Sequence, residues 1–122
     1  MQNLYLFAFE KLDVWRLSIK LAKSIYQTAI TFPETEKFGL TNQIRRASVS
    51  ISSNIAEGSA RKSSKDQARF YEIAFGSLME VTSQLILAVE LEYISAETIN
   101  EIRPKIDEIA NMLNALRNSC FR

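Results

Sequence analysis

An all-α, antiparallel up-down-up-down four-helix bundle is the fold this sequence predicts, and three observations carry that prediction. Apolar residues recur at spacings of three and four along four separate segments. The connections between those segments are short. Only three glycines and two prolines occur in 122 residues, too little turn chemistry for a β-rich fold. The length suits one domain over residues 1–122, and such a chain buries roughly two-thirds of its unfolded surface.

The first helix is predicted over about Asp13 to Thr31, with Asp13 as its N-cap. Val14, Leu17, Leu21, Ile25, Thr28 and Phe32 form its inner stripe, and Trp15, Ile19, Ala22, Tyr26 and Ile30 form an adjoining one. Pro33 ends it, because the residue before a proline is pushed out of the helical region. After a linker containing Gly39, Thr41 is expected to cap a second helix over about Asn42 to Ala60. Its stripe is Ile44, Ala47, Ile51, Ile55 and Gly58, and its other positions are unusually small. Serine and glycine are poor helix formers, so close packing against neighbours must hold this segment.

Ser64 and Gln67 read as a capping box that opens the longest helix, about Lys65 to Glu92. Tyr71, Ala74, Phe75, Leu78, Thr82, Leu85 and Val89 give its core stripe. Ile73, Leu87 and Leu91 lie well off it, and from Leu85 to Leu91 the segment is apolar nearly all round. A helix in a monomeric bundle should show water a polar face. Ile73, Leu87 and Leu91 are therefore candidate subunit contacts. Ser95 caps a fourth helix, about Ala96 to Ser119, whose seam is Ile99, Ile102, Ile106, Ile109, Leu113 and Leu116. Pro104 inside it predicts a kink or a frayed first turn.

The side-chain inventory argues against an enzyme. There is no histidine and one cysteine, Cys120, which removes the commonest general base, intrachain disulfides and Cys/His zinc patterns. A di-iron bundle site needs Glu-x-x-His pairs and cannot be written here. Glu57, Glu72 and Glu80 are scattered carboxylates, expected to be structural rather than a closed cation site. Ser59-Ala-Arg-Lys62 matches S-x-x-K only in form, without supporting S-D-N or K-T-G elements. Gly39, Gly58 and Gly76 are too far apart for a phosphate loop. No catalytic residue, cofactor, metal or small-molecule substrate is expected. The apolar N-terminal run Leu4–Phe9 lacks the basic flank of a signal peptide. No stretch reaches the roughly 18 uninterrupted apolar residues of a membrane span, so no membrane partner and a cytoplasmic location are expected.

Charge is balanced in total, with a formal net charge of +1, but not in distribution. Arg45, Arg46, Arg61, Lys62, Lys65 and Arg69 outnumber Glu57 and Asp66 over residues 45–69, a local +4. Residues 70–108 carry eight acids against two bases, a local −6. Those six cations are candidate nucleic-acid contacts, and a basic face can equally meet an acidic face on a second copy. On the second helix Arg46, Ser50, Ser53, Glu57 and Arg61 fall within about 80° of one another, flanked by Asn54. They read as a candidate polar network (Arg46, Ser50, Ser53, Asn54, Glu57) with a Glu57–Arg61 pair, or alternatively as a phosphate-binding surface.

The run Phe38-Gly-Leu-Thr-Asn-Gln-Ile-Arg-Arg-Ala-Ser-Val-Ser-Ile-Ser-Ser-Asn-Ile-Ala-Glu-Gly58, followed by Arg61, resembles the signature of the 23S rRNA intervening-sequence proteins. Leu12-Asp-Val-Trp15, Tyr26, Phe32-Pro33 and Ile73-Ala-Phe-Gly-Ser-Leu-Met-Glu80 extend the resemblance over about residues 9–117. It implies a left-handed antiparallel four-helix bundle that assembles in several members as a ring-like homopentamer, without enzymatic activity or cofactor. The family is also similar to the accessory variability protein of diversity-generating retroelements, a basic pentamer that works with nucleic acid. Pro104 and the near-neutral charge depart from those patterns. The leading expectation is a non-enzymatic homo-oligomeric scaffold or adaptor, with RNA or DNA binding as the alternative.

Overall fold

The computed structural model describes residues 6–122. Its helices are α1 over Asp13–Ala29, α2 over Leu40–Ser59, α3 over Ser64–Glu90 and α4 over Ala96–Ser119. Leu4 and Tyr5, which open the N-terminal apolar run, lie outside the described residues. Consecutive helices pack together, α1 closes the ring against α4, and the diagonal pairs do not meet among the described residues. With short links this is the up-down-up-down bundle that the periodicity predicts.

The core takes Leu21 and Ile25 from α1, Ile44, Ile51 and Ile55 from α2, Leu78, Val81 and Leu85 from α3, and Ile106, Ile109 and Leu113 from α4. The α1 stripe is rotated from its expected position. Ser18 is fully buried while Leu17 is only partly so. The Ser18 hydroxyl donates to the Trp15 carbonyl at 2.6 Å, and Ser48 and Ser52 donate likewise to Arg45 and Val49 at 2.8 and 3.1 Å. A small side chain that bonds its own helix leaves no unpaired donor, so it can enter an apolar core.

Helix ends differ from expectation by one or two residues, each for a local reason. Asp13 is the first helical residue rather than the cap, and its carboxylate accepts from Arg16 at 3.1 Å. Thr41 is buried inside α2, which begins at Leu40. The cap of α3 is Ser63, whose hydroxyl accepts the Asp66 amide at 3.1 Å, and Gln67 instead donates to the Arg61 carbonyl. Ser95 caps α4 as expected, accepting from the Thr98 amide at 3.2 Å. That first turn is capped rather than frayed, and the helix is unbroken through Pro104. Glu92, expected to be helical, has φ 63° and closes α3 with Tyr93 N–H on the Ala88 carbonyl and Glu92 N–H on Val89, a Schellman motif.

That turn places Tyr93 against the α1–α2 linker. Its ring lies 5.7 Å from Phe32, and its hydroxyl donates to Glu36 Oε2 at 2.7 Å. Glu36 Oε1 accepts the Leu40 amide at 3.0 Å, so a carboxylate outside the helix satisfies a free donor at the start of α2. The Leu40 amide and then the Tyr93 hydroxyl hold the Glu36 carboxyl below its usual range, while Glu36 pushes the Tyr93 phenol up.

A carboxylate with a depressed folded pKa stabilises the fold above its unfolded value, and the contribution is lost as pH falls through the folded one. A phenol with a raised pKa stabilises below its unfolded value and loses that contribution as pH rises through the folded one. Tyr93→Phe should therefore make the acid-side decline of Tm shallower and remove this group's alkaline-side loss. Thermal melts across pH 3 to 11 (roughly the span of both titrations) check this. Curves that run parallel to the parent across the range would rule it out.

Candidate functional site

Ile73, Leu87 and Leu91 line one outer stripe of α3, within about 40° by helical register, and are 42%, 47% and 45% exposed. Gly76 has open space around its Cα and lies on the same face, as does Glu80. The structure thus places all three candidate contact residues on one exposed face, Leu87 and Leu91 one turn apart and Ile73 about 21 Å further along the helix. A second stripe stands on α1, where Ile19, Tyr26 and Ile30 are also exposed. The sequence shows these residues as an adjoining stripe but does not mark them as a contact. Because α1 and α3 are diagonal in the bundle, the two stripes belong to different sides of the molecule.

The apolar excess of α3 has a further expression. An 18-residue stretch of it has mean hydropathy 1.3, long and apolar enough by those measures to cross a bilayer, and 39% of that stretch is buried in the bundle. The helix supplies Leu78, Val81 and Leu85 to the core and an apolar stripe to the outside, which raises its hydropathy above that of its neighbours.

The polar network forms in part. Asn54 Nδ2 donates to the Ser50 carbonyl at 2.8 Å and to Ser50 Oγ at 3.0 Å, and Ser50 Oγ lies 2.8 Å from Ser77 Oγ. Asn54, Ser50 and Ser77 thus form a hydrogen-bonded chain from α2 to α3, in which either serine hydroxyl can donate to the other. Ser77 was not foreseen; the signal is the small pair Gly76-Ser77 within an otherwise bulky helix. Arg46, Ser53 and Glu57 are exposed and make no side-chain hydrogen bond among the described residues. The expected Glu57–Arg61 pair is absent because α2 ends at Ser59 and Arg61 leaves helical register. Its guanidinium instead lies 4.6 Å from the Phe70 ring centre, with Arg69 at 5.4 Å from the same ring.

The six candidate nucleic-acid contacts do not form one surface. Arg46 and Arg61 are separated by fifteen positions, about 22 Å of helix rise. Arg45 is turned toward α1, stacked 5.0 Å from the Tyr26 ring and donating to the Tyr26 carbonyl at 3.4 Å. Arg61, Lys62, Lys65 and Arg69 do share the α2–α3 turn, and all four are exposed. Among the carboxylates, Glu72 accepts from Arg117 at 2.6 Å and Glu80 from Gln84 at 3.2 Å. No group of three His, Cys, Asp or Glu side chains gathers among the described residues. Cys120 is half-buried, its thiol directed at the Leu116 carbonyl.

These features define an antiparallel helical bundle that carries apolar stripes on two diagonal helices and a basic turn at one end. The chain belongs to the 23S rRNA-intervening sequence protein family, whose sequence profile matches residues 10–115. A solved structure from Bacteroides thetaiotaomicron VPI-5482, described as a protein with unknown function from the S23 ribosomal protein family, is 28% identical. The match covers 85% of this chain and 97% of that one, with a TM-score of 0.76. No curated protein sequence matches the chain.

Proposed function

We propose that this chain is a non-enzymatic, homo-oligomeric scaffold or adaptor of the cytoplasm, assembled through the outer stripe of α3. The observation that carries the reading is the exposure of Ile73, Leu87 and Leu91 along one helix face. Isolated apolar residues on a surface are ordinary. Here Leu87 and Leu91 stand one turn apart on this face and Ile73 aligns with them about 21 Å further along the helix, an arrangement that suits a contact. The α1 stripe supplies a second, non-equivalent surface for the neighbouring copy. Two different faces meeting head to tail generate a closed ring when the rotation closes, which suits the homopentamer that the family resemblance implies.

Leu87→Glu should dissociate the assembly while leaving helicity unchanged, because the side chain is 47% exposed in the single chain. Light scattering with far-UV circular dichroism reads both outcomes. A parent protein that stays monomeric at high micromolar concentration, or a Leu87→Glu chain that assembles as the parent does, would end this reading. Nucleic acid is the second reading, favoured by the four exposed cations of the α2–α3 turn. Phosphate contacts there would make affinity for RNA fall steeply with salt.

A further inference from the structure

The two ends of the bundle carry opposite charge. At one end Arg61, Lys62, Lys65 and Arg69 surround the α2–α3 turn, exposed and without an ion pair among the described residues, with Asp66 as the acid in their midst. At the other end Glu90, Glu92, Glu97 and Glu101 surround the α3–α4 turn, again exposed and unpaired, with Glu34 and Lys37 on the neighbouring α1–α2 linker and Arg103 further along α4. The 27 residues of α3 set the two turns about 40 Å apart, so the clusters around them cannot meet within one chain. Antiparallel helix dipoles oppose one another, which leaves the side chains to set the sign of each end.

Each charged end also presents apolar surface. Phe121 is 61% exposed beside Lys65 and Arg69, where a groove of about 440 Å³ opens. Phe38 at 87% is exposed at the acidic end, which the Tyr93–Glu36 bond ties to the α1–α2 linker.

We propose that the basic end of one copy docks onto the acidic end of the next, stacking bundles or rings of bundles along the helix axis. The occupant is a second copy because each end carries an excess of the charge that complements the other. Such a contact is heterologous and does not close on itself, so it propagates. It is separate from the side contact through α3 and does not depend on it.

Sedimentation of the Leu87→Glu chain tests the end contact with side assembly removed. Growth with protein concentration is expected in about 20 mM salt, with association at least about tenfold weaker in about 500 mM salt, where the screening length falls from roughly 20 Å to a few ångströms. If Leu87→Glu leaves rings intact, the side reading fails alone, and salt-dependent stacking of those rings still reads the end contact. A Lys62→Glu, Lys65→Glu, Arg69→Glu chain and a Glu90→Lys, Glu97→Lys, Glu101→Lys chain should each fail to stack. Mixing them should restore stacking. The proposal is overturned if the parent shows no salt-dependent growth, or if the mixture stays dissociated while both chains are helical. It is equally overturned if the basic end binds a structured RNA at low salt in the absence of any stacking.

Discussion

Trimming Leu85 to alanine is expected to lower folding stability by about 3 kcal/mol. Leu85 is fully buried on the inner face of α3, with Val81 and Ala88 one turn away on either side, both fully buried. The removed methyl groups lose their transfer free energy, and the surrounding helices cannot collapse fully into the space left behind. A domain of this size is stable by only about 5–15 kcal/mol in all, so the loss is a large share. Urea titration should show a lower midpoint with an unchanged slope, since the surface exposed on unfolding stays nearly the same. The contrast with Leu87, two positions away on the outer face, is diagnostic. Leu87→Ala in the dissociated chain should change stability by no more than about 0.5 kcal/mol. Equal losses at the two positions would mean that the inner and outer faces of α3 are wrongly assigned.

Placing valine at Gly58 is expected to cost about 2–3 kcal/mol. A Cβ at this position would stand 2.7 Å from Tyr71 Cε1 and 3.0 Å from Phe70 Cβ. Tyr71 is 4% exposed and has little room to turn away, and the Phe70 Cβ moves only with its backbone. The glycine therefore sets how closely α2 approaches α3. Helix propensity opposes the clash, because alanine is favoured over glycine by about 1 kcal/mol in a helix interior. Gly58→Ala should for that reason be milder than Gly58→Val, and pairing it with Tyr71→Leu should recover part of the loss. Denaturation of the four variants in a double-mutant cycle checks the coupling. A stabilised Gly58→Val chain would show that the two helices do not meet as described.

The fold was legible because each helix writes its inner face in aliphatic side chains at helical spacing. Of the seam expected for α4, Ile99, Ile102, Ile106, Ile109 and Leu113 are buried and Leu116 is partly so. Legibility failed where a polar residue serves the core. Ser18 belongs to neither of the apolar stripes read for α1, and its bond to the Trp15 carbonyl makes its burial tolerable. It failed again at helix starts, since the adjacent residues Ser63 and Ser64 offer the same capping chemistry to a reader. The amide at the start of α2 is satisfied by Glu36, which Tyr93 holds from 57 residues away, and no local pattern encodes that.

The candidate surfaces were legible in the same uneven way. Ile73, Leu87 and Leu91 stand out because they break the apolar period of their helix. The Ser50–Ser77 contact crosses between helices and needs their register. The Glu57–Arg61 pair fails because a spacing of four means contact only while the helix lasts.

The order in which the helices neighbour one another has a kinetic consequence. Three of the four seams join helices consecutive in the chain, whereas the α1–α4 seam joins its beginning to its end. That last seam also carries a groove of about 390 Å³ whose lining is mostly polar, with Ser24, Gln27, Thr28, Thr98, Glu101 and Lys105 beside Ile102. Closing a long loop against a polar seam offers little early reward, while the hairpins α1–α2, α2–α3 and α3–α4 involve short closures. Amide protons of α2 and α3 should accordingly exchange most slowly, and those of α1 and α4 along their shared seam should open first.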